Sequence, residues 1–538
     1  MKRMKFIILA YIGFSLLLSC NKDGFLDRKP TNTIPQSDIF KSSDLINAYL
    51  NDLYLDVPGY ERNLYGNIAD EARTYWPGGS KDVVRGNWGP RSNLMAYWPY
   101  DDIRKCNTFL MKIGNSDIGD SIKNEYIGQV KFLRALQYFK MIKRYGGIPI
   151  ITKPQELTDD LLVEKQSIDS CFNFVINELE GAIELLPNTY GNADIDVGRA
   201  NKWSAKAFLG RVLLFWASPL YNPKGDVNRW GEAAEVNLDV IENGPYSLYP
   251  DFRKIMLAKN NQEEIFSIQY LKPYREHGWD SWSMPDSRSR QDASDRCPLQ
   301  ELVDAFPMKN GIPITSPLSG YDPTHPYDNR DPRLQQTVIV NGSTYGFQGL
   351  PVYMYVDGID GIGKPYETVT GYQLRKGTDE SNQDYYGQTG SDQNWIELRF
   401  AEVLLNYAEA KNEFLGSPDN SIYDAIDRIR ERAGLNPYQV PTGLTKKEMR
   451  EEIRNERYIE LAFERKRYWD LKRWMTAVER LNGNRFHGMY ITKHSDGHYT
   501  YEVKPVGETY VFTDKMYFMP FSQDDIDKDP NLAQNPGW

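Results

Sequence analysis

Ile122-Lys-Asn-Glu-Tyr-Ile-Gly-Gln-Val-Lys-Phe-Leu-Arg-Ala-Leu-Gln-Tyr-Phe-Lys-Met-Ile-Lys-Arg-Tyr145, followed at once by Gly146-Gly147-Ile148-Pro149, is the stretch that decides the fold class. Tyr126, Val130 and Leu133, together with Phe132, Leu136 and Phe139, recur at the spacing of one broad helical face. Two glycines and a proline then stop the helix. The same reading predicts helices over 37–55, 100–111, 168–186, 202–217, 232–242, 398–414, 422–433 and 446–475. Thr445 with Glu448 forms a capping box for the last of them. The segment 199–219 is rich in Ala and Leu with few breakers, as expected of a helix packed on both sides. Helix pairs joined by short loops resemble tetratricopeptide-like hairpins stacked side by side, although no strict repeat period is present. The expected class is therefore mostly α.

Two excursions interrupt the scaffold. Residues 58–100 are crowded with Gly and Pro, and Tyr60, Tyr65, Tyr75, Trp76 and Trp88 lie among them. Residues 245–395 are rich in Gly, Pro, Asp and Asn, with only short strand-like runs, such as 337–340 and 352–356. Long irregular stretches in compact proteins usually serve function. The organisation expected is a helical part over 37–244, a loop-rich excursion over 245–395 and a second helical part over 396–538, all in one domain.

The beginning of the chain fixes its address. Lys2, Arg3 and Lys5 precede an apolar run from Phe6 to Leu18, which is too short to span a bilayer and reads as a signal peptide over 1–19. Leu17-Leu18-Ser19-Cys20 is a bacterial lipobox, making Cys20 the lipidated first residue of the mature protein. Residues 20–36, with Pro30 and Pro35, form a polar tether. Acyl chains would hold a water-soluble body on a membrane. There are 64 basic against 74 acidic residues, and the excess of acid grows when the leader is lost. Nucleic acid is excluded as a partner, since it demands clustered Lys and Arg. Cys106, Cys171 and Cys297 are the remaining cysteines; one disulfide is possible, but a disulfide-built scaffold is not.

Motifs that invite chemistry are weak. Gly358-Ile-Asp-Gly-Ile-Gly-Lys364 has P-loop spacing, but Pro365 replaces the hydroxyl that would hold Mg2+. His487, His494 and His498 lie close together, but Ser495-Asp496-Gly497 reads as the turn of a solvated hairpin. HExxH and GxSxG motifs are absent. Glu456, Glu460 and Glu464 stack on one helix, with Arg454, Arg457, Arg465, Arg467 and Arg473 interleaved to answer them in an ion-pair lattice. No catalytic group, cofactor or metal site is expected.

The aromatic content points elsewhere. The chain holds 36 Tyr and 12 Trp at a mean hydropathy of −0.60, more rings than a core needs. An indole face meets the apolar face of a sugar ring, and Asn, Asp and Arg answer its hydroxyls. The candidate platforms are Trp76, Trp88, Trp279 and Trp282, with Tyr274 beside the last two. Arg73, Asn87 and Asp70 are the candidate polar partners. Trp98, just before a helix, and Trp469 and Trp474, within one, are expected in the core.

Taken together, several segments resemble the SusD/RagB family of outer-membrane nutrient-binding lipoproteins of Bacteroidota. They are Phe132–Phe139 running into Tyr145-Gly-Gly-Ile-Pro149, Arg399-Phe-Ala-Glu-Val-Leu-Leu-Asn-Tyr-Ala-Glu-Ala410, Arg454-Asn-Glu-Arg-Tyr-Ile-Glu-Leu-Ala-Phe-Glu464, Tyr468-Trp-Asp-Leu-Lys-Arg-Trp474 and Asn531-Leu-Ala-Gln-Asn-Pro-Gly-Trp538. The resemblance implies four tetratricopeptide-like units carrying irregular glycan-binding loops. It implies a lipid-anchored protein facing the cell exterior that passes oligosaccharides to a SusC-like TonB-dependent transporter without catalysis. It also places Glu456, Glu460 and Glu464 in the scaffold. A RagB-like peptide binder on the same kind of transporter is the alternative; an exported glycosidase and a ligandless lid are further rivals.

Overall fold

A computed structural model describes residues 36–60, 65–191, 196–288, 294–384 and 389–538. The signal peptide, Cys20 and nearly all of the tether lie outside them. The deciding stretch forms one long helix, Asp120–Tyr145 (α3). It ends where Gly146 takes φ 72°. Gly147 follows because a Cβ there would stand 2.2 Å from the Gln166 carbonyl oxygen. Ahead of α3 lie Ser43–Leu55 (α1) and Tyr100–Lys112 (α2), and after it Ile168–Leu185 (α4), Lys202–Ala217 (α5) and Asn228–Asn243 (α6). The short Trp279–Ser283 (α7) belongs to the excursion. Farther along come Phe400–Phe414 (α8), Asn420–Ala433 (α9), Lys446–Glu460 (α10) and Arg467–Arg473 (α11).

Each helix packs on the next along the row α3, α4, α5, α6. Helix α6 then meets α8, which carries α9 and α10. This is the expected side-by-side stack, and the chain is mostly helical, with 41% helix and 9% strand. Helix α5 is buried along most of its circumference, which explains why its sequence shows no polar face. The Asn201–Ser204 and Thr445–Glu448 capping boxes start α5 and α10. One continuous apolar core runs from Phe40 to Leu532.

Among the described residues the sheets are all two-stranded, and the strands that matter are β1 (Ala72–Arg73), β2 (Glu264–Ile268), β3 (Cys297–Pro298), β4 (Trp395–Arg399), β5 (His487–Lys493) and β6 (Tyr499–Pro505). The antiparallel pair β1–β3 ties the two excursions to each other, and β2–β4 ties the second to the strand that leads into α8. The β5–β6 hairpin carries His494 and His498, stacked 4.1 Å apart at its turn, as the hairpin reading of those histidines requires. The run 352–356 is not a strand, and the expected strand at 337–340 shortens to Val338–Ile339.

The segment 446–475 is two helices, not one. Phe463 and Arg465 adopt φ of 64° and 60°, a left-handed conformation no helix contains. The break lets Glu460 and Glu464 turn into a buried cluster, and its cations come from elsewhere in the chain. Arg399 bonds Glu263 at 2.6 Å, Glu460 at 2.7 Å and Glu464 at 2.8 Å. Arg333 reaches Asp331, Glu456 and Glu460; Arg432 reaches Glu263 and Glu460; Lys376 reaches Glu464. The interleaved arginines have other duties. Arg457 and Arg473 hold Asp470 and Glu409, and Arg467 holds Asp70.

Cys106, Cys171 and Cys297 are buried free thiols. Burial pushes them up to about 12, 11 and 11, so little thiolate forms at neutral pH. Ellman's reagent is expected to find no reactive thiol in the folded chain lacking residues 1–20, and all three after unfolding in urea.

Candidate ligand-binding site

The segment after β1 delivers an aromatic group to the surface. Tyr75 is pinned by its N–H, which donates to the Ser294 carbonyl at 2.9 Å. The Trp76 N–H donates to Thr74 Oγ1 at 3.0 Å. Pro77, Gly78 and Gly79 then turn the chain away, the glycines at φ 75° and 48°, so no side chain from the turn crowds the indole. Tyr75, Trp76 and Tyr366 are each half-buried. Trp76 meets Tyr366 at 5.5 Å between ring centres, Tyr75 at 5.7 Å and Trp282 at 5.8 Å, the last two near perpendicular. Tyr75 and Tyr366 close the triangle at 5.6 Å. Lys81 Nζ donates to the Tyr75 carbonyl at 2.8 Å and brings a cation to the rim. The product is an aromatic surface of three rings on a fourth, buried one, with polar groups at its edge.

Tyr366 has φ 64° and ends the loop whose glycines carried the P-loop-like spacing. Its place in the site was missed because only the Gly-rich run beside it carried a sequence signal. No helix follows that run, so the anion-cradling geometry of a P-loop is not built.

The other candidates separate sharply. Trp88 is 7% exposed and packs on Trp538 at 4.8 Å, so it is core and not a platform. Trp279, 2% exposed, lies under Arg296 at 4.5 Å, and its Nε1 donates to the Lys376 carbonyl at 3.2 Å; it too is core. Trp282, 7% exposed, supports Trp76 from beneath. The reason is shared by Trp88 and Trp279: the excursions fold back onto the main apolar core, which takes in both rings. Asn87 is exposed, beyond the end of the short helix Ser80–Val84. Tyr274, 86% exposed, tips the turn Leu271–Arg275 and makes no ring contact among the described residues.

Asp70 and Arg73 are not available as polar partners. Asp70 is fully buried and takes two bonds of 2.8 Å from Arg467 and one of 2.6 Å from Arg480. Burial would raise its carboxyl, but Arg467 and Arg480 overcome this and bring it down to about 2. Arg73, 4% exposed, pairs with Glu508. Both residues anchor the segment that presents Trp76. Trp469 and Trp474 are buried as expected, and Trp98 packs half-buried on Tyr100, Tyr145 and Phe521. Among the described residues no group of three or more His, Cys, Asp or Glu is placed to hold a metal, and no helix is long and apolar enough to cross a membrane.

A helical stack that presents an aromatic patch on long loops defines a class of ligand-binding scaffold, and comparison with known proteins gives it a family. The SusD family model matches residues 262–538, and a second, described as starch-binding associating with outer membrane, matches residues 24–214. The chain belongs to the SusD/RagB family. A SusD-like protein from Bacteroides ovatus is 24% identical over 583 residues, covering 99% of this chain and 98% of the relative. A solved SusD-like carbohydrate-binding protein from Bacteroides fragilis superposes with a TM-score of 0.80 at 26% identity, covering 92% of this chain and all of the other. A further SusD-like protein from Bacteroides fragilis gives 0.78 at 28% identity over 95% of this chain.

Proposed function

We propose that this chain captures oligosaccharides at the cell surface by stacking their rings on Trp76, Tyr75 and Tyr366, and passes them to a SusC-like TonB-dependent transporter. It acts without catalysis. It is anchored through lipid on Cys20 and faces the exterior of the outer membrane. The observation that carries this reading is the half-exposed triangle of rings standing on Trp282. Membership of the family, one of whose matching models is described as starch-binding, supports it. Exposed Asn87 and Tyr274 are candidates for further contacts along an extended glycan.

Affinity electrophoresis of the chain lacking residues 1–20, through gels containing different polysaccharides, tests it. Retardation by at least one glycan is expected. Trp76→Ala should weaken that binding by about 1–3 kcal/mol, the worth of one well-packed aromatic contact. That is roughly 5- to 150-fold in Kd. Unchanged mobility in every gel would sink glycan capture and favour the RagB-like peptide reading.

A further inference from the structure

A cavity of about 670 Å³ opens in the second excursion, between the turn at 308–311, the short helix Arg333–Thr337 and the loop 375–380. That lies within the roughly 300–1,000 Å³ of pockets that hold organic ligands. The segments that wall it are tied together. Met308 and Arg330 pair as an antiparallel bridge, and the Lys309 N–H donates to the Asn329 carbonyl at 2.7 Å. None of Tyr75, Trp76 and Tyr366 lines it.

The wall holds four cations, Arg253, Lys309, Arg330 and Arg375, against two carboxylates, Asp331 and Glu380. Both carboxylates are already engaged. Asp331 accepts from the buried Arg333 at 2.7 Å, and Glu380 takes Arg375 at 2.8 Å and Arg253 at 3.0 Å. Arg330 is buried and donates to the carbonyls of Pro326, Val303 and Phe306 at 2.8, 2.6 and 2.7 Å. Asp304 and Asp331 act on its charge but accept no hydrogen bond from it. Lys309 is exposed and makes no ion pair among the described residues. Two buried donors of the wall, Arg253 Nη1 and Arg330 Nε, have no acceptor among the described residues. Positive charge and N–H donors therefore exceed what the protein itself answers. A concave wall dominated by one sign of charge focuses its field on what enters.

The rest of the wall bonds without charge. Asn329, Gln335 and Gln336 bring side-chain amides that make no hydrogen bond among the described residues. An amide both donates and accepts, as hydroxyls require, whereas a guanidinium fork matches a carboxylate or a sulfate. A bare inorganic ion would leave most of the volume and all three amides unused.

We propose that this cavity is a second binding site, for an acidic residue of an oligosaccharide: a sugar that carries a carboxylate or a sulfate ester. Arg375 and Lys309 would receive the anionic group, and Asn329, Gln335 and Gln336 the ring hydroxyls. The choice of a sugar as bearer of the charge rests on the glycan reading above; the excess of positive charge does not.

Isothermal titration of the chain lacking residues 1–20 with tetragalacturonate, with a carrageenan tetrasaccharide and with inorganic sulfate tests the site and separates the two acidic groups. At least one of the sugars should bind, more weakly as salt rises. Arg375→Gln should weaken that binding at least about tenfold. Lys309→Glu, a change at an exposed residue without an ion pair, should also weaken it about tenfold. Trp76→Ala should leave it unchanged. Failure of both sugars to bind would overturn the site, as would binding that Trp76→Ala abolishes and Lys309→Glu spares. Inorganic sulfate bound as tightly as either sugar would overturn the sugar and leave an ion site only. Acidic binding that Lys309→Glu weakens, with no retardation by any neutral glycan, would uphold this site and sink the Trp76 platform. Retardation by a neutral glycan with neither acidic sugar bound would sink this site alone.

Discussion

Glu460→Ala is expected to cost about 3–5 kcal/mol of folding stability, enough to leave many domains largely unfolded. Glu460 is fully buried and receives Arg333, Arg399 and Arg432 together. Removing it strands three guanidinium groups with only Glu263, Asp331, Glu456 and Glu464 to answer them. Each keeps another carboxylate, but a buried cation that loses one of its partners is left with desolvation that the remaining ones only partly offset. The exposed pair Glu451–Arg454 is the control: Glu451→Ala should change stability by less than about 1 kcal/mol. Urea unfolding followed by circular dichroism measures both. A Glu460→Ala protein as stable as the control would mean the cluster is not what joins β4 to α10.

Acid should act through the same kind of carboxylate. Burial would raise Asp70, Glu402 and Glu409, but Arg467 and Arg480, Arg211 and Lys466, and Arg473 and Arg457 respectively hold all three at about 2. Folded values below the unfolded ones mean that their stabilisation is complete above about pH 5 and is lost as pH falls through about 2. Each contributes on the order of 2–3 kcal/mol over that window. The urea midpoint should therefore fall steeply below pH 4.

Why these partners could not be read from sequence is a matter of distance along the chain. The helices that make the scaffold announce themselves locally: α3 ends where Gly146-Gly147 says it must, and α5 occupies the segment read for it. The break at Phe463 and Arg465 hides inside a continuing helical pattern, because what forces it is the cluster around Glu460 and Glu464 and not a glycine or proline. Asp70 meets Arg467 across 397 residues, so a polar residue beside a tryptophan looked like a ligand contact when it was a clamp. Trp76 stays half-exposed where Pro77-Gly78-Gly79 turn the chain away from it. Trp88 and Trp279 lay in equally broken sequence, but the partners that bury them, Trp538 and Arg296, carry no local signal.

The two kinds of tryptophan should come apart in one experiment. Trp279→Ala removes a ring that carries the fully buried Arg296 on its face and bonds the Lys376 carbonyl. It also opens a cavity against Tyr60 and Trp395. Large-to-small replacement of a buried aromatic costs about 3–5 kcal/mol, and leaving Arg296 without its ring adds to that. Trp76 is half-exposed, and its loss should cost no more than about 1–2 kcal/mol of stability, since part of its surface is already in water. Binding should rank them the other way. Folded Trp279→Ala protein, assayed well below its midpoint temperature, should keep nearly full glycan retardation, whereas Trp76→Ala should lose it with the fold intact. Loss of binding by both at equal stability would mean that the site extends inward to α7. Retention by both would move the platform off the Trp76 triangle, toward the exposed ring of Tyr274.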